Sequence, residues 1–296
     1  MVISTQQARV LMSFLHYLFT VVKRKWISLN RASLLHWKGH MRIEILGVPV
    51  DAITKVEALM KAQNMLAERR GHFLTTPNPE MLVLATREPR FKEVLRKADL
   101  AIPDGIGLLY AARLHGKRIP ERVSGADFLD ELAALALQKG LPVFLLGGGQ
   151  STLAGKQDVA KRAADILREK YPGLEVVGAE SGGQVSLSAD GTWQMDPALL
   201  DRIRAASPAM LFVAFGHGKQ ETWIADHLAA LPSVRLAIGI GGAFDFIAGE
   251  VRRAPLMMRR LGLEWLWRLV RQPSRFGRIW TAVAVFPWLA LRDKNC

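Results

Sequence analysis

The sequence holds a single cysteine, Cys296, at its last position. One thiol builds neither a disulfide framework nor a cysteine-based metal site, and it fits a reducing cytosol. Also missing are a Walker lysine loop, an H-E-x-x-H helix, a G-x-S-x-G elbow and any zinc spacing. Those absences remove the P-loop, zincin and serine-hydrolase chemistries. No Asp-x-Asp pair of the kind that grips a metal–diphosphate occurs. No obligatory metal or other cofactor is therefore expected, and a leaving diphosphate would rest on amides, Arg or Lys.

Acid is missing from residues 1–40, which carry six Lys/Arg. Residues 250–296 carry nine Arg, one Lys and three acids, so the two ends hold +6 and +7 of the net +13. Between them, residues 41–249 balance 24 basic against 24 acidic side chains. A neutral middle argues against nucleic acid as a partner. Basic ends rich in Trp and Leu suit an anionic membrane surface. A long apolar run is missing too: Val10–Val22 spans 13 residues, too few for a usual membrane crossing. Lys23-Arg24-Lys25 follows that run, whereas a secretory signal places its charge first. Residues 1–40 read as an interfacial helix or a disordered extension, or as lying outside the natural protein, with Met41 a possible start.

Half of the 296 residues are hydrophobic, enough for one large domain with extensions. The pattern alternates strand and helix. Strands are expected at Arg42–Leu46, Phe73–Asn78, Leu100–Ile102, Pro142–Leu146, Leu174–Val177, Met210–Phe215 and Val234–Ile240. Helices are expected at Thr54–Arg70, Glu80–Ala98, Ile106 to about Gly116, Phe128–Lys139, Thr152–Tyr171, Pro197–Ala206 and Lys219–Ala230. Lys117–Asp127 and Glu180–Trp193 read as loops. This order predicts an α/β fold, a Rossmann-like, mainly parallel sheet with helices on both faces. Helical runs at Leu256–Arg271 and Phe276–Arg292 follow, holding four of the eight Trp: Trp265, Trp267, Trp280 and Trp288. Arg mixed with Trp on helices reads as a basic, membrane-associating appendage, or as a helical pair packed on the core. The divisions are thus 1–40, an α/β body at 41–249 and an appendage at 250–296.

Ligands of open α/β sheets bind beyond the carboxyl ends of the strands. Four such ends carry turn chemistry: Thr75-Thr76-Pro77-Asn78, Asp104-Gly105, Gly147-Gly148-Gly149 and Gly216–Gln220. Glycine lets backbone amides approach a phosphate, and a helix start favours an anion. Asp104 would accept a proton or cap the helix after it. Thr76 and Asn78 would bind substrate or form a capping turn. Arg122 would grip a phosphate or lie exposed, and Lys219 and Gln220 would face a ligand or the helix surface. Asp245, between two Phe, reads as a ligand contact or a paired structural acid. His217 is a lone histidine in a glycine turn and reads as no ligand. The glycine run is not G-x-G-x-x-G, because Thr152 replaces the third Gly. That weakens the rival reading as a nicotinamide oxidoreductase, and the neutral middle weakens a non-enzymatic binding protein.

In order along the chain stand Thr75-Thr-Pro-Asn-Pro-Glu80, Ile102-Pro-Asp-Gly-Ile-Gly107, Arg122-Val-Ser-Gly-Ala-Asp127, Leu145-Leu-Gly-Gly148, Gly216-His-Gly-Lys-Gln-Glu221 and Gly239-Ile-Gly-Gly-Ala-Phe-Asp245. Arg253-Ala-Pro255 and Leu261-Gly-Leu-Glu-Trp265 complete the set. From about Met41 to about Pro273 it resembles the WecG/TagA/CpsF glycosyltransferases, glycosyltransferase family 26. The resemblance implies a hexosyltransferase that moves a sugar from a UDP-sugar to a polyprenyl-diphosphate-linked saccharide, with inversion and without metal. The sugar would be N-acetylmannosamine, its uronic acid or glucose, for a bacterial surface polysaccharide. The resemblance implies peripheral attachment at the cytoplasmic face of the inner membrane. It makes Asp104 the base, with Thr76, Asn78, Arg122 and Gln220 at the substrates. Gly105, Gly147, Gly148, Gly216, Lys219 and Asp245 complete the expected pocket. Arg252, Arg253, Arg259, Arg260 and Trp265 belong to the appendage that joins membrane and site. His217 departs from the family pattern, where Ala is commoner. Self-association through an exposed apolar tail is a further expectation.

Overall fold

The structure is a computed structural model that describes residues 41–149 and 158–293. The reading of residues 1–40 lies outside the described residues, as does the start of the helix expected from Thr152.

An antiparallel hairpin, β1 (Met41–Ile45) and β2 (Val48–Ala52), opens the described chain. Leu46 and Gly47 turn it with φ of 54° and 74°, the paired positive values of a tight hairpin turn. The sequence pattern gives β1 but not β2, because Pro49 interrupts the second run. Pro49 is accommodated in this two-stranded hairpin, where it stands opposite Glu44. Helix α1 (Lys55–Ala67) follows, closed by a reciprocal Thr54–Glu57 capping box.

Next come β3 (His72–Thr75), α2 (Pro79–Arg87), α3 (Pro89–Arg96), β4 (Leu100–Ala101) and α4 (Ile106–Leu114). The single helix expected at Glu80–Ala98 is two, because Pro89 lacks an N–H and pushes Glu88 to an extended φ of −121°. Then follow α5 (Gly125–Lys139), β5 (Val143–Gly147), α6 (Val159–Lys170) and β6 (Val176–Glu180). The expected loop at Glu180–Trp193 contains a small antiparallel pair, β7 (Ser186–Leu187) with β8 (Trp193–Gln194). Helix α7 (Leu199–Ala206), β9 (Met210–Ala214), α8 (Lys219–His227), β10 (Leu236–Gly239) and α9 (Ala243–Ile247) complete the body.

Six strands form one sheet in the order β4-β3-β10-β9-β5-β6, every pair parallel. Side chains alternate across it. Leu74, Leu145, Phe212 and Ile238 face one buried cluster with α1, α5, α6 and α9. Phe73, Leu146, Leu211, Val213 and Ala237 face another with α7 and α8. Burial on both faces explains why these strands are continuous apolar runs. The expected α/β sheet with two helical layers is what forms.

Beyond the body lie α10 (Leu256–Arg260), α11 (Glu264–Arg271), α12 (Phe276–Trp280), a π turn at Thr281–Val285, and α13 (Phe286–Arg292). Gly262, at φ 73°, breaks the first expected run into α10 and α11. Pro287 removes one helical hydrogen bond just after the π turn. Phe286 and Ala290 are buried with Met81, Leu82, Leu108 and the hairpin in a third cluster. The segment is therefore partly core, while Met257, Leu261 and Val270 stay 73%, 63% and 71% exposed. Among the described residues no helix is long and apolar enough to cross a membrane.

Candidate active site

The chain leaves β5 toward β6 and leaves β9 toward β10, in opposite directions across the sheet. A crevice opens where neighbouring connections diverge. It lies among the carboxyl ends of β3, β4, β5, β9 and β10 and encloses about 310 Å³. Thr76, Asn78, Asp104, Gly148, Gly216, Gln220 and Asp245 line it, so most of the expected residues converge.

Asp104 follows the two-residue strand β4, and its backbone N–H donates to Pro77 at 2.9 Å. Its Oδ2 accepts from the Gly125 N–H at 3.1 Å. Burial raises its proton affinity above the ordinary carboxylate range, against the pull of Arg122 and that hydrogen bond, while Glu264 adds to the rise. A raised proton affinity makes a carboxylate a stronger proton acceptor once it is ionised. Gly105 does not face the crevice. Its φ of 134° and the Pro79 ring, 2.8 Å from where a Cβ would stand, make it the turn that aims Asp104. Thr76 is buried beside Asp104 and donates to the Gly239 carbonyl at 3.3 Å. Asn78 Oδ1 accepts from the Met81 N–H at 3.0 Å, so Asn78 caps α2 while lining the crevice.

Gln220 sits on the floor, bridging two elements. Its Oε1 accepts from the Gly241 N–H at 3.0 Å and its Nε2 donates to Glu221 at 2.7 Å. Glu221 is fully buried and pushed up to about 7 by loss of water. Lys219 does not line the crevice: its Nζ donates to the Val185 carbonyl at 2.9 Å. Gly147 is likewise structural. At φ 110°, a Cβ there would stand 2.6 Å from the Ala214 backbone, which lets β5 and β9 meet at the crevice. Asp245 has its proton affinity raised by burial.

Arg122 lies behind Asp104, paired with Glu264 at 3.5 Å. Glu264 also holds Arg268 at 3.3 Å. Arg253 makes a bidentate pair with Asp127 at 2.7 and 3.2 Å, and Arg259 stands 3.7 Å from the same acid. These pairs fasten the segment after residue 250 to α5 and its approach. Arg252 lends its carbonyl to the Trp267 indole. Trp265 packs with Leu269 and Ile279 rather than facing the crevice. The side chain of Arg260 lies outside the described residues.

Sequence reasoning overlooked three further residues that line the crevice, Arg268, Arg275 and Arg278. Arg275 is half-buried, and burial together with the two neighbouring arginines lowers its hold on its proton. Arg278 donates to Glu80 at 2.7 Å and to His217 Nδ1 at 2.8 Å. A guanidinium only donates, so that Nδ1 accepts and His217 is neutral with its proton on Nε2. Burial and Arg278 depress the proton affinity of His217, which lines the crevice. The appendage expected to join membrane and site does reach the crevice, but through Arg268, Arg275 and Arg278 rather than the arginines its motifs single out. Among the described residues no cluster of three His, Cys, Asp or Glu is placed to hold a metal.

A half-buried carboxylate and three guanidiniums lining one glycine-rimmed crevice can take a proton and steady an anion within the same site. The model of the glycosyl transferase WecG/TagA/CpsF family matches residues 43–295. Similar proteins include the N-acetylglucosaminyldiphosphoundecaprenol N-acetyl-beta-D-mannosaminyltransferase of Bacillus spizizenii. It is 35% identical over 214 residues, 72% of this chain and 77% of that protein. The enzymes of the same name from Bacillus subtilis and Staphylococcus aureus are 32% and 28% identical, covering 73% and 86% of this chain and 78% and 94% of theirs. The chain belongs to the WecG/TagA/CpsF family and is a glycosyltransferase.

Proposed function

We propose that this glycosyltransferase moves an N-acetylmannosamine-type sugar from a UDP-sugar to a polyprenyl-diphosphate-linked saccharide, with inversion at C1. The names of its relatives, which specify N-acetylmannosaminyl transfer and a diphosphoundecaprenol-linked acceptor, support the sugar and the acceptor. The observation that carries the mechanism is the half-buried Asp104 carboxylate sharing one crevice with Arg268, Arg275 and Arg278.

In this reading the donor diphosphate lies against the arginines and the glycine turns at Gly148, Gly216 and Gly241. The acceptor hydroxyl is held between Asp104 and C1 of the donor. As the hydroxyl oxygen attacks C1, its proton passes to Asp104. The bond from C1 to the UDP oxygen breaks on the far side, and UDP leaves with its new charge facing guanidinium. Inversion follows from this single displacement. Base assistance contributes roughly 10²–10⁴-fold, and preorganised cations stabilise the leaving group without a metal. The body at 41–249 supplies the base and the turns, and residues from 250 onward supply the arginines. The exposed Met257, Leu261 and Val270, beside Arg-rich helices, support peripheral attachment to an anionic membrane, on the cytoplasmic face where UDP-sugars are made.

The test is UDP release from a panel of UDP-sugars, with and without the lipid-linked acceptor, in EDTA. Acceptor-dependent release with UDP-N-acetylmannosamine bears the proposal out. Release only after a divalent ion is restored refutes metal independence, and release from a different donor alone refutes the sugar assignment.

A further inference from the structure

Glu264 pairs with both Arg122 and Arg268, two of the cations that act on Asp104. It opens α11, and its side chain is only 13% exposed. Its two oxygens have different partners: Oε2 meets Arg122 at 3.5 Å, and Oε1 meets Arg268 at 3.3 Å. Arg122 stands on the loop before α5, Arg268 on α11 itself. The charges of both guanidiniums act on the Asp104 carboxylate.

The charges around Asp104 come from three elements. The loop before α5 brings Arg122, and α5 brings Asp127, which is itself bound by Arg253. The segment after β10 brings Arg253, Arg268 and Glu264. Thr76, next to Asp104, brings no charge. Three cations surround one base, and cations hold a carboxylate as its weakly basic anion. Asp127 offsets Arg253, and Glu264 offsets Arg122 and Arg268 together.

We propose that Glu264 is a positioning residue that sets the strength of the base: by clamping Arg122 and Arg268 it keeps both guanidiniums off Asp104. Because Glu264 lies on α11, full basicity then requires α11 to be docked. The catalytic residue and the C-terminal segment are thereby coupled through one carboxylate. This inference rests on the reading of Asp104 as the base.

The geometry gives a sign. Neutralising Glu264 leaves two guanidiniums less occupied beside Asp104, so its proton affinity falls. In Glu264→Gln the acid limb of kcat/KM moves to lower pH by roughly half a unit or more. Turnover on the plateau falls, since a weaker base assists less. A purely structural Glu264 would lower stability or KM and leave the limb in place. Titration of the Asp104 carboxyl by ¹³C NMR in the free protein, assigned with Asp104→Asn, reads the same shift without turnover.

A limb and a carboxyl titration that stay at the wild-type pH in folded Glu264→Gln, or move upward, overturn the proposal. Should that variant fail to fold, Arg268→Gln tests it from the other side. Losing that cation moves the Asp104 titration upward, and no movement overturns the proposal equally. Asp104→Asn keeps the two readings apart. Retained turnover there refutes the base itself. Lost turnover there with an unmoved Glu264→Gln limb refutes the clamp alone.

Discussion

Asp104 carries the first expectations at the level of single residues. Asp104→Asn keeps the shape and the hydrogen bond from Gly125 but cannot take a proton. Turnover is expected to drop by about 10²–10⁴-fold while donor affinity, measured by calorimetry, holds. In the wild-type enzyme the base must be ionised, so kcat/KM rises with pH through a value above the ordinary carboxylate range. Glu221 makes a prediction about stability. Its folded-state proton affinity lies near 7 against 4.5 when unfolded. The folded chain thus binds the extra proton between those values, and stability falls as pH rises from about 4.5 to about 7. The span corresponds to about 3 kcal/mol. Melting curves across that range should slope downward for wild type and flatten for Glu221→Gln. Gly147→Ala should cost about 2 kcal/mol or more, because a Cβ there meets the Ala214 backbone at a positive φ. Asp104, Thr76, Asn78 and Gln220 were legible because each stands at a strand end in a distinctive motif. Lys219 misled because sequence neighbours on a helix face different ways: Gln220 looks into the crevice and Lys219 looks out.

Among the elements, the last helices depart most from what their pattern suggested. Apolar and arginine residues mixed at helical spacing read as a membrane-associating appendage or as a helical pair packed on the core, with the arginines on a wet face. Phe286 and Ala290 fill the cluster under the hairpin, and Arg268, Arg275 and Arg278 form a wall of the crevice. Spacing alone could not separate these faces, since the partners of α12 and α13 are distant in sequence. Removing everything after Gly249 would thus expose core as well as remove arginines. A cleaner test of membrane attachment changes only exposed side chains. Met257→Asp with Val270→Asp should abolish co-sedimentation with anionic vesicles and leave the melting temperature within a few degrees. Wild-type co-sedimentation in that variant would sink the attachment reading. The helix break at Pro89 was present in the sequence, but the apolar spacing on either side concealed it. The hairpin strand β2 was concealed by Pro49 in the same way.

For the molecule as a whole, the alternation of strand and helix was enough to give the parallel sheet, because strands buried on both faces cannot vary much. Strand order was not legible. β9 and β10 enter the middle of the sheet late in the chain, and only that insertion creates the crevice between β5 and β9. Charge is also a whole-molecule property. The excess of +7 in residues 250–296 lies on the segment with the exposed apolar residues. Vesicle affinity should therefore fall steeply between low salt and physiological salt for wild type, and neutral vesicles should bind weakly at both.

The described chain also closes on itself: Asp293 accepts a hydrogen bond from the Leu46 N–H, and His115 meets the Ala290 carbonyl at 2.8 Å. A ribosome makes the hairpin well before these partners. While the final helices are still in the exit tunnel, Asp104 is without both Glu264 and the arginines of the last helices. On the proposed mechanism, the order of synthesis therefore puts the base on the chain well before the arginines that would steady its leaving group.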